Sequence, residues 1–311
     1  GASKAFGGQS VAVGLRSQAT GLRSVAVGES AKAADIDAVA FGRGSEANAL
    51  SSTAVGDRAK ANGTQAVALA SAAEANGYQA VAVGTRAVAE EINSVALGVE
   101  SSSTALNGLA AGTRARVRKS GGTALGAGAA AFEEKSAALG YKAEAHQQNS
   151  VALGTDSIAD TAAGVAGYDF ATGGISAETG KAWVSTLGAV SLGSEKHSRQ
   201  ITNVAAGTVD TDAVNVAQVK KIAAQTEIGM GKLKERADSG SAAAIAVGSL
   251  GQAYLPGQGA VSLASGIWRG KTGYALGFSK VSAGGKWLFK GSAVGAAKGG
   301  AGGGASVTYF W

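Results

Sequence analysis

The sequence predicts a mainly β chain in three unlike parts: a long solenoid of short stacked strands, one helical segment, and four strands of about ten residues at the C-terminal end. Three observations carry this. Glycine recurs every 14 residues through the first half, apolar residues take alternating three and four spacing from Val219, and aromatic residues gather in alternating runs from Trp268 onward.

Composition sets the outer limits. Of 311 residues 49 are glycine, one is proline and none is cysteine, and the 45% hydrophobic share is mostly alanine and valine. A conventional core of large side chains is therefore not expected, and disulfides and thiolate metal sites are excluded. From Val219 onward there are 11 Lys/Arg against 3 Asp/Glu, while the preceding residues hold 17 against 19. The net charge of +6 thus belongs to the C-terminal end, where it suits an anionic membrane surface. With no basic stripe interleaved with aromatics, a nucleic-acid partner is not expected. No run of about 18 apolar residues exists, so no membrane helix is expected. The lack of an initiator Met or signal peptide points to a processed or partial chain.

The repeat is strict. Gly14, Gly28, Gly42, Gly56, Gly84, Gly98, Gly112, Gly126, Gly140 and Gly154 keep a period of 14 broken only by Ala70, which makes eleven copies without an insertion. Two residues before each mark stands an alanine, as at Ala12, Ala26, Ala82 and Ala152, flanked by apolar residues such as Val25 and Val27. Small residues follow the mark at three and five, as at Ala31 and Ala33. Each copy then reads as two strands of about five residues and two corners, one coil of a solenoid, and eleven coils give a rod on the order of 50 Å long. The expected arrangement puts the valine and leucine sites inside the coil and turns the fixed alanines outward, toward another subunit.

Units such as Ser10-Val-Ala-Val-Gly14 and Ser94-Val-Ala-Leu-Gly98 resemble the head repeats of YadA-like trimeric autotransporter adhesins. The resemblance implies a homotrimer of left-handed parallel β-roll heads over residues 1–161, with no cofactor, no metal and no catalytic residue. Residues 162–198 lose the register and read as an inserted β-rich connector, ending in an echo of the repeat at Ala189-Val-Ser-Leu-Gly193. Residues 199–218, with Arg199-Gln-Ile-Thr-Asn-Val-Ala-Ala-Gly207 and Thr211-Asp-Ala-Val-Asn-Val-Ala-Gln218, are very similar to the family's neck motif; Arg199, Asn203 and Asn215 are its structural candidates.

Residues 219–255 follow as coiled-coil stalk and pore helix. The seam Val219, Ile222, Thr226, Gly229, Leu233, Arg236, Gly240, Ala243 and Val247 contains two glycines and an arginine, so the helices are expected to need the surrounding domains to hold them together. In residues 256–311, strands are expected near 260–268, 272–282, 286–297 and 302–311, apolar on one face and small on the other, with Trp287, Tyr309 and Trp311 as an interfacial girdle. Gly299-Gly-Ala-Gly-Gly-Gly304 reads as a strand-joining loop. Four strands cannot close a barrel, and three chains would supply twelve, which agrees with the resemblance: it implies a 12-stranded outer-membrane β-barrel, with Gly240 in the helix entering the pore and Trp311 as the terminal aromatic.

What the resemblance implies in function is adhesion. The anchor would carry its passenger across the outer membrane with the help of the barrel-assembly machinery, then remain in lipid, while the head at the cell surface binds host matrix, host cells or sibling bacteria. A secreted β-solenoid enzyme and an outer-membrane pore are the alternatives. His146 and His197 read as solitary surface residues, and the pairs Glu90-Glu91 and Glu133-Glu134 as charged coil corners.

Overall fold

The structure is a computed structural model that describes all residues from Gly1 to Trp311, in two compact units, residues 1–202 and 203–311. In the first unit each copy of the repeat makes one coil: a three-residue strand such as Val25–Val27, a corner, a two-residue strand such as Lys32–Ala33, and a second corner. Successive coils pair in parallel, Val67 opposite Val81 and Lys60 opposite Glu74, which builds two 12-stranded sheets. The strands are shorter than the expected five residues because the corners consume the chain. Each corner holds a residue in the left-handed region, Arg23 and Ser30 both at φ 57° in one coil.

The glycine mark is forced by its neighbour. Gly28 has φ 132°, and a Cβ built on it would stand 2.5 Å from the carbonyl oxygen of Gly42 in the next coil. Ala70 occupies this position at φ 102° and bears the strain that the glycines avoid.

The expected faces are reversed. Ala26, Ala40, Ala54, Ala68 and Ala82 are fully buried, as are Ala31, Ala33, Ala59 and Ala61 from the other strand. The fixed alanines fill the interior and the valine and leucine sites face out, Val13 and Phe41 at 55% and 54% exposure. Both faces of the three-residue strand are apolar, so alternation alone does not say which is inside; available volume decides. The two sheets of a coil are too close for more than a methyl or a hydroxyl between them. Where serine replaces alanine the hydroxyl commonly turns back on its own corner, Ser24 Oγ to Gly21 O at 2.7 Å and Ser94 Oγ to Glu91 O at 2.6 Å, which satisfies the buried polar group; Ser103, in the coil beside Gly108, is buried with its hydroxyl unpartnered.

One coil departs from this rule and displays its mechanism. Val117 is the largest fully buried side chain, standing where the other coils have alanine or serine. Room comes from Gly108 and Gly122, which occupy an alanine or serine position of the repeat: a Cβ on them would lie 3.0 Å and 2.7 Å from Val117 Cγ1. The core holds its volume constant across adjacent coils.

The echo of the repeat joins the stack. Val190–Ser191 pairs with the last three-residue strand, Val151 opposite Val190, so an offset of 39 residues replaces 14 at this step. The intervening chain loops out and carries a small antiparallel pair, Tyr168–Asp169 with Gly174–Ile175.

In the second unit, helix α1 (Val216–Gly248) leads to an antiparallel meander of β1 (Gly259–Trp268), β2 (Lys271–Val281), β3 (Trp287–Ala296) and β4 (Gly300–Tyr309). Residues facing one another across the register share a face. Val261, Leu263, Tyr274, Leu276 and Phe278 lie on the exposed side, while Gly273, Ala275, Ser279 and Val281 are buried. The glycine run 300–304 belongs to β4 rather than to a loop, since its backbone pairs with 292–296 of β3 and the turn falls at 297–299. Gly291 is covered by Phe278 from the neighbouring strand, whose ring stands where a side chain would be.

The compensated coil makes a quantitative expectation. Gly122→Ala should destabilise the head by about 1–3 kcal/mol through overpacking, and Val117→Ala by a similar amount. The double variant should recover most of the loss, a coupling read from thermal or urea unfolding of the three variants. In the same assay Ala70→Gly should stabilise the head by about 1 kcal/mol, because relief of a strained φ exceeds the added entropy of the unfolded chain.

Candidate functional site

Three places carry the features from which a function can be built: the inner face of the C-terminal sheet, the turn before α1, and the outer surface of the coils. The sheet receives α1 through small residues on both partners. A Cβ at Gly273 would stand 2.5 Å from Cα of Ala243, and one at Gly299 would lie 3.1 Å from the backbone N of Gly240. Ala242 and Ala246 are fully buried against this face. The packing is strongest on β1 and β2, whereas every residue of β4 stays exposed.

Charged contacts tie the helix to the hairpin tips. Glu235 accepts from Lys271 Nζ at 3.0 Å and from Lys298 Nζ at 2.6 Å, bridging the first residue of β2 and the turn before β4. Asp238, nearly buried, has Arg269 at 3.9 Å. At the opposite ends of the strands Trp287 and Tyr309 face each other with ring centroids 4.8 Å apart, and Trp311 lies fully exposed just beyond. No helix is long and apolar enough to cross a membrane, which leaves a β-barrel untouched.

The turn before α1 is a closed polar knot. Asn215 caps the helix: its side-chain oxygen accepts from Gln218 N at 3.1 Å and its amide donates to Val204 O at 3.2 Å. Gln218 returns the bond to Asn215 N at 3.2 Å and also holds Gly207 at both ends, accepting from its N and donating to its O, each at 3.1 Å. Asp212 accepts from the backbone N–H of Thr208 and Val209 and from the Thr208 hydroxyl, bonds that hold its carboxyl below its ordinary pKa. Asn203 sits at φ 60° in the chain leading into this knot.

On the coils, side chains 14 residues apart form ladders. Asn48 Nδ2 donates to Asn62 Oδ1 and Asn62 Nδ2 to Asn76 Oδ1, each at 2.7 Å, Gln79 donates to Gln65 at 2.9 Å, Arg23 pairs with Asp37 at 2.6 Å, and Glu100 is shared by Arg86 and Arg114. The outward valine and leucine positions form a continuous apolar stripe on the sheet of three-residue strands. Arg199 closes the last regular coil, donating to Ser157 Oγ at 3.0 Å and to the carbonyls of Leu192 and Thr155.

These three places coincide with three families of sequence. The coils match "YadA head domain repeat (2 copies)" at residues 19–45, 47–69, 75–101 and 133–157. Residues 200–242 match "Coiled stalk of trimeric autotransporter adhesin", and 251–311 match "YadA-like membrane anchor domain". The chain belongs to the YadA-like trimeric autotransporter adhesins. Among curated relatives it is 42% identical over 125 residues to autotransporter adhesin NhhA of Neisseria meningitidis serogroup B, covering 40% of this chain and 21% of NhhA. It is 54% identical over 69 residues to autotransporter adhesin BadA of Bartonella henselae, covering 22% of this chain and 2% of BadA. The chain therefore spans about a fifth of the length of NhhA and a small fraction of BadA. The crystal structure of the collagen-binding domain of Yersinia adhesin YadA aligns with 66% of this chain and 85% of that one at 26% identity, with a TM-score of 0.27 that is too low to bear on the fold. Family membership places the four-stranded unit in the outer membrane and the coils on the cell surface.

The sequence-derived candidates of this chain fall in different settings. Arg199 and Asn215 are fully engaged, and Asn203 and Trp311 lie at the start of the turn region and at the end of the sheet. Nothing in the chain approaches within 4 Å of a Cβ placed at Gly240. Sequence reasoning missed Gln218, although Asn-x-x-Gln before a helix is a capping-box spacing that signals it. It also missed Glu235, whose lysine partners stand 36 and 63 residues away. His146 is not solitary: its Nε2 lies 2.8 Å from Glu144 and its ring 4.7 Å from Phe132. Sequence distance again hides the ladder, because Phe132 is 14 residues off.

Asp212 gives this region a pH signature. A depressed carboxyl contributes stability that is complete above its ordinary pKa near 3.8 and disappears as pH falls through the lower folded value. Parent and Asp212→Ala, compared by thermal unfolding, should differ at pH 7 and converge as the pH is lowered below 3.8; a constant gap down to pH 2 would rule out the charged turn as the cause.

Proposed function

We propose that three copies of this chain close one twelve-stranded barrel in the outer membrane, and that the head held there adheres to host matrix, host cells or sibling bacteria. The observation that carries the reading is the open sheet: β1 and β4 each pair on one side alone, while Val261, Leu263, Leu276 and Phe278 present an apolar face. Backbone groups on such edges cannot be left unpaired in lipid, and four strands are too few to curl shut. Pairing β4 of one chain with β1 of the next satisfies both.

Other features support the same assembly. The uncovered inner face of β4 is a place for the helix of a neighbouring chain, and the clearance around Gly240 lets three helices approach within the lumen. Val219, Ile222 and Leu233 of α1 are exposed in one chain and become a seam in three. In the head, the apolar stripe is the surface along which coils of neighbouring chains join. Glu235, bound to both outer hairpin tips, holds the helix as a plug. Insertion by the barrel-assembly machinery and an annulus of outer-membrane lipid belong to this reading, which gives the chain a binding role rather than a catalytic one. A rigid rod with three equivalent surfaces converts weak contacts into avidity, a gain of roughly 10²–10⁴ over a single site.

Two measurements test it. In mild detergent without denaturant the purified chain should run as a trimer, and a predominantly monomeric species would end the proposal. The trimer should then bind saturably to matrix proteins, cultured cells or bacteria bearing the same protein; indifference to all three classes would leave an anchor without an adhesive head.

A further inference from the structure

Residues 113–119 hold four cations and no carboxylate. The strand Arg116–Val117 explains their display: Ala115 and Val117 are buried in the coil, so Arg116 and Arg118 emerge on the exposed side about 6.6 Å apart, and Arg114 stands exposed at the corner before them, at φ 58°. Their backbone is pinned from both neighbouring coils. Arg116 N donates to Ala129 O at 2.9 Å and Arg118 N to Ala131 O at 3.1 Å, while Ser102 N and Thr104 N donate to Ala115 O and Val117 O at 2.9 Å and 3.1 Å.

In other coils charges meet their opposites. Arg23 meets Asp37, Arg43 meets Asp57, and along one ladder Lys32, Glu46, Lys60 and Glu74 alternate in sign. The strip at 114–119 does not. Arg116 has Ser102 and Ala130 as its ladder neighbours. Arg118 lies over Phe132 with its guanidinium 4.9 Å from the ring centroid, a contact that steadies the side chain and leaves its outer N–H groups free for an anion. Only Arg114 has a carboxylate, Glu100 at 3.5 Å, and that one is shared with Arg86.

The strip is also narrow. One coil is about 4.8 Å high, and the adjoining coils bring Glu100 on one side and Glu133 and Glu134 on the other. A broad anionic body such as a bilayer or a duplex would press on these carboxylates; a thin chain laid along the strand passes over Arg116 and Arg118, whose neighbours in the adjoining coils carry no carboxylate. Guanidinium groups in a row favour oxyanions that accept two hydrogen bonds at once.

We propose that Arg114, Arg116, Arg118 and Lys119 form a belt that binds a linear sulfated polysaccharide. The proposal rests on the adhesive reading of the head and names its ligand class. In the trimer the belt occurs three times at one level, so a single polysaccharide chain can engage more than one copy.

The test uses the full trimer in detergent and heparin fragments as the probe. Arg114→Gln, Arg116→Gln and Arg118→Gln together should weaken heparin binding at least tenfold at low salt, and Arg116→Glu alone should weaken it severalfold. A control with the same charge change, Arg16→Gln, Lys32→Gln and Lys60→Gln, should bind within twofold of the parent. Undiminished binding by both belt variants, or an equal loss in the control, overturns the proposal. So does tighter capture of single-stranded DNA or of phosphatidylglycerol vesicles through the same arginines. Adhesion to matrix proteins is measured in parallel: a trimer that adheres but ignores heparin refutes the belt and spares the adhesive reading, and one that does neither refutes both.

Discussion

The narrowness of the coil governs the head. Two sheets separated by methyl groups leave no room for ordinary hydrophobic side chains, so the core draws little stability from each buried residue and depends on repetition. What each coil does supply is backbone pairing to both neighbours, and this is complete only if every coil has the same length and the same corners. The 14-residue period follows from that requirement, as do the glycine at φ near 130° under the next coil's carbonyl and the compensation of Val117 by Gly108 and Gly122. A core with no slack cannot absorb a change in one coil without a matching change in the next.

The same narrowness pushes the larger apolar residues outward. Valine and leucine stacked on one side of the roll form a stripe that a lone chain leaves half in water, and the exposed apolar residues of α1 and the unpaired edges of the four-stranded sheet are deficits of the same kind. On the proposed trimer a single association remedies all three. Each deficit is small or tolerable in water except the last, since an open edge in lipid has no solvent to fall back on. Barrel closure is then the step that commits the chain to threefold assembly, and the helix and head can afford weak seams because the anchor already holds the copies together. Two glycines and an arginine on the helix seam are consistent with that division of labour.

Much of this was legible in the residues. The period of 14, the two strands and two corners per copy, the helix and the four strands all follow from spacing, because each repeats a local rule many times or alternates over ten residues. What failed was the choice of faces. A strand reading Val-Ala-Val is apolar both ways, and the deciding clue was restriction rather than hydrophobicity: the site that accepts a methyl group alone is the one with least space, and the least space is inside. The glycine run 300–304 misled in the opposite direction, since flexibility read from composition gave way to pairing with β3, where a strand with almost no side chains leaves room beside it.

Ladder chemistry was hidden for another reason. Contacts between residues 14 apart look remote along the chain and are adjacent in the stack, so His146 read as solitary while it rests on Phe132, and Arg118 on the other side of that ring read as one charge among many. Charge summed over a whole domain conceals a strip one coil high. In a solenoid the meaningful unit of sequence is the column, read every fourteenth residue, together with the single coil read across. On the column of Lys32, Glu46, Lys60 and Glu74 opposite charges alternate; across the coil at 113–119 four cations stand with no carboxylate of their own, and the field concentrates there.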